Sequence, residues 1–103
     1  MKTMKEIEAV IENRNEAIQA GTAYAGHELR CYLSADKTVS VIEHYDADAG
    51  YTKYAVASPG VWASLLSLRG DSAEIIQAAF NYVDSRNFVF YRPAKSGGGM
   101  VAV

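Results

Sequence analysis

At 103 residues, half of them hydrophobic and 21% charged, the chain has room for one modest core, and its composition is far from disordered or fibrous classes. A net charge of -2 excludes the strongly basic footprint of a protein whose affinity rests on phosphate contacts. The single cysteine, Cys31, excludes an intrachain disulfide. No opening apolar stretch has the pattern of a signal peptide or membrane span, so a cytoplasmic location is expected.

Thr3 and Glu6 are spaced as a capping box, which predicts a helix start in which each side chain satisfies a backbone donor. Met4, Ile7, Val10, Ile11, Ala17 and Ile18 recur at helical spacing and form an apolar stripe, interrupted by Arg14 and closed at Gly21. The segment from Gly21 to Gly26, with two glycines among small residues around Tyr24, is expected to be a loop.

The stretch from His27 to Ala57 then predicts three consecutive strands. Leu29, Cys31 and Leu33 alternate with Glu28, Arg30, Tyr32 and Ser34, the period of a strand with one buried and one wetter face. A three-residue loop at Ala35, Asp36 and Lys37 would set Val39 against Leu33 and Val41 against Cys31, keeping the apolar set together. In that register His27 lies near Tyr45, and His44 near Glu28. A turn over Asp46 to Gly50 leads to the third strand, Tyr51 to Ala57. On its apolar face Cys31 is expected to act as a small buried hydrophobe rather than a reactive thiol.

Ser58 followed by Pro59 marks a second helix, reaching about Arg69 and carrying Val61, Trp62, Leu65, Leu66 and Leu68, with Gly70 closing it. Asp71 as cap, with Glu74 three residues later, predicts a third helix whose stripe is Ile75, Ile76, Ala79, Phe80 and Val83. Asn87 supplies the left-handed residue that ends it. Phe88 to Tyr91 is expected as a fourth strand, terminated by Pro93.

The predicted architecture is a two-layer α+β domain over residues 1–93. An antiparallel sheet of about four strands carries helices on one face, in the order α-β-β-β-α-α-β. Residues 94–103 follow as a flexible glycine-rich tail or a short fifth strand at the sheet edge.

Motifs for chemistry are sparse. Glu28, His44 and Asp46 would be the nearest approach to a metal cluster, yet no HExxH or paired CxxC spacing accompanies them, and neither metal nor cofactor is expected. The segment from Asp46 to Gly50 begins like a calcium loop but offers Ala57 where a bidentate glutamate belongs. Ser96 to Gly99 lacks the lysine and following helix of a phosphate loop.

The most suggestive surface is EHYDADAGYTKY. Here Glu43, Asp46 and Asp48 are interspersed with Tyr45, Tyr51 and Tyr54 at and beside a turn, in a chain with seven tyrosines. Tyrosine joins a large apolar ring to a hydrogen-bonding tip, and carboxylates steer a basic partner, so these six residues are the expected partner-binding set. The expected role is a small noncatalytic interaction module that binds a protein partner, an inhibitor or accessory factor by analogy of size alone; a homodimer is compatible with it. Two alternatives are a small-ligand or catalytic pocket between sheet and helices using His27, His44 and Tyr24, and nucleic-acid binding through Phe88 to Tyr91 with Arg86, Arg92 and Lys95 alongside.

Overall fold

The computed structural model describes residues 4–12, 23–25, 28–34, 36–68, 70–95, 97 and 99–103. In chain order they form α1 (Met4–Glu12), β1 (Ala23–Ala25), β2 (Leu29–Leu33), β3 (Ser40–Asp46), β4 (Tyr51–Ala57), α2 (Pro59–Leu66), α3 (Ala73–Ser85), β5 (Phe90–Pro93) and β6 (Met100–Ala102). The α+β class holds, with an antiparallel sheet and two helices between β4 and β5. The sheet has six strands rather than about four, in the order β1-β2-β3-β4-β5-β6. One addition, β6, is the short C-terminal edge strand. The other, β1, falls in the glycine-flanked segment expected as a loop; its Ala23, Tyr24 and Ala25 pair with Cys31, Arg30 and Leu29. Pairing along the open side of β2 supplies hydrogen bonds that composition does not reveal.

The β2–β3 register differs by one residue from the expected one. Leu33 pairs with Ser40, Cys31 with Ile42 and Leu29 with His44. The cause is the turn, in which Ser34 rather than Leu33 stands opposite Val39. Ser34 N–H donates to Val39 O (2.9 Å) and Lys37 N–H to Ser34 O (2.9 Å). Lys37 sits in the left-handed region at φ 62. The Ser34 hydroxyl accepts from the N–H groups of Thr38 and Val39, both at 3.2 Å, and donates to Asp36 Oδ1 at 2.8 Å. Asp36 Oδ1 also accepts from Thr38 N–H and Thr38 Oγ1. Side chains thus satisfy the turn, and since strand faces alternate, the slip moves Val41 to the face opposite Cys31.

Leu29, Cys31, Ile42, Ala55 and Ala57 form one buried face with Leu65 of α2 and Ala79 and Val83 of α3. Trp62, Leu66, Ile76, Phe80, Phe88 and Phe90 surround this core. The small side chains at Cys31, Ala55, Ala57 and Ala79 let the helices settle close to the strands. Ser40, fully buried, donates to Ser58 O (2.7 Å) and ties β3 to the entry of α2.

The opposite face is not the wetter one expected for Tyr32 and Ser34, each only 1% exposed. Tyr32 and Val41 cluster with Ile11 of α1, and Tyr54, Val56 and Met100 pack around them. α1 therefore lays part of its apolar stripe on this side, while α2 and α3 occupy the other. Thr3, and the parts of the expected first helix at Arg14, Ala17, Ile18 and Gly21, lie outside the described residues, as do His27 and Arg69.

α2 begins as expected, with Ser58 extended and Pro59 in the first turn, and ends at Leu66, short of Arg69. α3 is capped by Ser72 rather than Asp71, because the Ser72 hydroxyl accepts from Ile75 N–H (3.2 Å). Asn87 takes the expected left-handed conformation at φ 53. The strand expected at Phe88 to Tyr91 begins two residues later, at Phe90, and includes Pro93 as its last residue. No helix among the described residues is long and apolar enough to cross a membrane.

Candidate functional site

The β3–β4 hairpin carries all six residues of the expected contact set. Its ladder runs unbroken from Ser40–Ala57 to Asp46–Tyr51. The β2 ladder stops at Leu29–His44, with one further bond from Tyr45 N–H to Glu28 O (2.9 Å). On the other side β5 registers with β4 at Tyr54 and Ala55. From Tyr45 to Thr52 the hairpin therefore pairs chiefly with itself.

Asp46 holds the tip. Its Oδ1 accepts from Ala49 N–H (3.0 Å), its carbonyl accepts from Gly50 N–H (2.8 Å), and its Oδ2 lies 3.9 Å from Lys53 Nζ. Gly50 adopts φ +77 with nothing within 4 Å of a built Cβ, so conformation rather than crowding calls for glycine there. Ala47 to Gly50, including Asp48, are exposed.

Register divides the six residues between two faces. Glu43 pairs with Tyr54, and Tyr45 with Thr52, on the side that α1 approaches. Asp46 pairs with Tyr51 on the α2–α3 side, and Asp48 stands at the turn. Tyr45 is 47% exposed, the largest apolar surface displayed at this tip. Tyr51 and Tyr54 are half-buried: the Arg92 guanidinium lies 5.6 Å from the Tyr51 ring centroid, and Tyr54 packs on the Ile11, Tyr32 and Val41 cluster. The hairpin thus brings Tyr45, Asp46 and Asp48 together at an accessible tip and places Tyr51 and Tyr54 lower on its flanks. Lys53, together with Phe90 and Arg92 of the nucleic-acid alternative, lies outside the expected partner-binding set, yet the three form the cationic and aromatic flank beneath Tyr51, with Lys53 Nζ 5.0 Å from the Phe90 centroid.

His44 faces the helices, while Glu28, next to its ladder partner Leu29, stays near enough to act on it electrostatically. Its ring meets Phe80 edge-on at 5.2 Å and Phe90 at 6.4 Å. Its pKa is lowered first by burial and then by Lys53, against the opposing pull of Asp46, Glu28 and Asp84. Among the described residues no group of three or more histidine, cysteine or carboxylate side chains converges to hold a metal. Phe88 and Phe90 pack against the main core. Burial pushes the Cys31 thiol up to about 12, and a hydrogen bond with Ser40 offsets this only in part, so at neutral pH the side chain is an unreactive thiol in the core.

A second feature lies between α1 and the C-terminal strands. A cleft of about 280 Å³ is lined by Glu8, Ile11, Tyr54, Pro93, Gly97, Gly99 and Met100. Pro93, Gly97 and Gly99 form one wall. Ala94 N–H donates to Gly99 O (2.9 Å), and Gly97 N–H donates to Ala94 O (3.0 Å). Its residues come from α1, β4 and the C-terminal strands, and no short motif links them.

Sheet and hairpin together define a small α+β domain whose strands meander across one antiparallel sheet. No known family model, curated protein or solved structure matches the chain.

Proposed function

We propose that the protein is a noncatalytic interaction module of the cytoplasm that docks the tip of its β3–β4 hairpin on a basic surface of a protein partner. The observation that carries this reading is Tyr45, 47% exposed beside Asp46 and Asp48 on a tip pinned by hydrogen bonds from Ala49 and Gly50. An exposed aromatic ring on a preorganised turn loses little entropy on binding, and neighbouring carboxylates speed encounter with a cationic partner. Glu43, Tyr51 and Tyr54 flank this contact from the two sides of the hairpin. A second reading, self-association, is supported by the edge strand β6, whose Val101 is 39% exposed beside Val103 at 60%, with neither proline nor charged side chain in Met100–Ala102.

Affinity capture from the native cell, with Tyr45→Ala, Asp46→Asn and Asp48→Asn variants compared side by side, tests the main reading. Asparagine at position 46 keeps the acceptor that holds the turn while removing the charge. Each variant is expected to melt like the parent. Tyr45→Ala is expected to weaken partner retention by roughly tenfold or more, and the asparagine variants to reduce its salt sensitivity. Equal retention of the same partners by all three variants would refute the assignment; a dimer in light scattering that also survives them would favour the β6 edge.

A further inference from the structure

The cleft over Tyr54 has the chemistry of an ammonium receptor. We propose that it binds a small organic ammonium group carried on an apolar stem, either a free alkylamine or the side chain of a lysine. At about 280 Å³ it lies just below the range of roughly 300–1,000 Å³ typical of ligand pockets, so the guest is small. Its floor is apolar and aromatic: Ile11, Tyr54 and Met100 belong to one packed cluster, and Pro93 closes the side. Glu8, one helical turn before Ile11 on the same side of α1, is the charged side chain among the described lining residues. A carboxylate and an aromatic ring lining one cleft are a pairing that an ammonium group satisfies, by a charge-assisted hydrogen bond to the first and a cation–π contact with the second. A carboxylate guest would meet Glu8 with like charge.

The wall on the far side is built to come close to that carboxylate. Gly97 and Gly99 have φ +79 and +83, and a Cβ on Gly99 would lie 3.3 Å from Glu8 Oε1. Glycine there keeps the loop backbone beside the carboxylate without side-chain bulk in the mouth of the cleft. The cleft lies apart from the tip, since its lining includes neither Tyr45 nor Asp46 nor Asp48; Tyr54 borders both.

Titration of the ¹⁵N-labelled full chain with hexylammonium, followed by amide shifts, tests the proposal, with hexanoate and 1-hexanol as size-matched controls. Saturable shifts at Gly97, Gly99 and Met100 with hexylammonium, and affinity lower by roughly tenfold or more for hexanoate, are expected. Glu8→Gln, which keeps the side-chain size on a half-buried position, is expected to weaken hexylammonium by about tenfold while the spectrum elsewhere stays unchanged. An acetylated and amidated Gly-Lys-Gly peptide distinguishes the sources: tighter binding than hexylammonium assigns the cleft to a lysine side chain, and weaker binding assigns it to a free amine. Tyr45→Ala should leave hexylammonium binding intact whatever it does to partner capture. Equal binding of hexylammonium and hexanoate, absence of saturable shifts, or an unaltered affinity in Glu8→Gln would overturn the proposal.

Discussion

Replacing Ile42 by alanine removes the side chain that fills the centre of the main core. Ile42 is 0% exposed and lies on β3 between Cys31 on β2 and Ala55 on β4, beneath the α2–α3 layer. Both flanking side chains are small, and both strands are held by ladders on either side, so little can move in to fill the void. Buried Ile→Ala changes cost about 2–5 kcal/mol, and a site that cannot collapse belongs in the upper half of that range, at about 4 kcal/mol. That is a large share of the roughly 5–15 kcal/mol by which ordinary domains are stable. Ile42→Val, which leaves most of the volume in place, should cost only about 1 kcal/mol. Equilibrium urea unfolding can be followed by Trp62, the chain's one tryptophan, which packs against this cluster. The register makes a sharper demand. Cys31→Ala and Ile42→Ala should be non-additive by about 0.5 kcal/mol or more, whereas Cys31→Ala and Val41→Ala, on opposite faces, should add within about 0.5 kcal/mol. A loss below about 1 kcal/mol for Ile42→Ala, or coupling of Cys31 to Val41 in place of Ile42, would refute the reasoning.

Two further predictions concern titration. Because burial raises the Cys31 thiol to about 12, the folded protein should resist alkylation at about pH 8 and react only through unfolding, at a rate that rises with urea. The same shift makes the folded state hold its proton where the unfolded thiol has lost it, so the contribution to stability is present below the ordinary value of 9.0 and is lost as pH climbs toward about 12; Cys31→Ala should flatten that alkaline limb. His44 has the opposite sign for acid. Its folded pKa lies below the ordinary 6.5, so the unfolded chain takes up the proton first, and stability is lost as pH falls from 6.5 through the folded value. His44→Phe, which keeps the edge-on contact with Phe80, should reduce the slope of stability between about pH 7 and pH 5. An unchanged acid limb would show that another group carries it.

What sequence makes legible here is the existence of elements more than their mutual placement. The bounds of β4, the start of α2 at Ser58–Pro59 and the left-handed Asn87 all follow from local chemistry, because alternation, a proline-compatible first turn and asparagine's tolerance of positive φ act over a few residues. The β2–β3 register does not. It depends on Ser34 and Asp36 folding back on the turn and on a lysine in the left-handed region, a conformation that composition does not announce. At the start of α3, Asp71 and Ser72 are both competent caps, and only coordinates show which oxygen meets Ile75 N–H. The six residues of the expected contact set fall close together in the sequence, but their division between two faces required the ladder. The cleft was invisible for the converse reason: Glu8 and Gly99 meet only because α1 and the β5–β6 connection approach from opposite ends of the chain.

The sheet's spatial order repeats its chain order, and this bears on how the molecule assembles. Most strands need only find the neighbour just synthesised, so closing each hairpin confines few residues. The exception is β5, which reaches β4 across both helices of the intervening layer. Within the sheet the entropy of long-range closure is therefore concentrated at a single seam, where Tyr54 and Ala55 receive Tyr91 and Phe90, and that seam, together with the packing of Ile11 against Met100, raises the contact order on which folding speed depends.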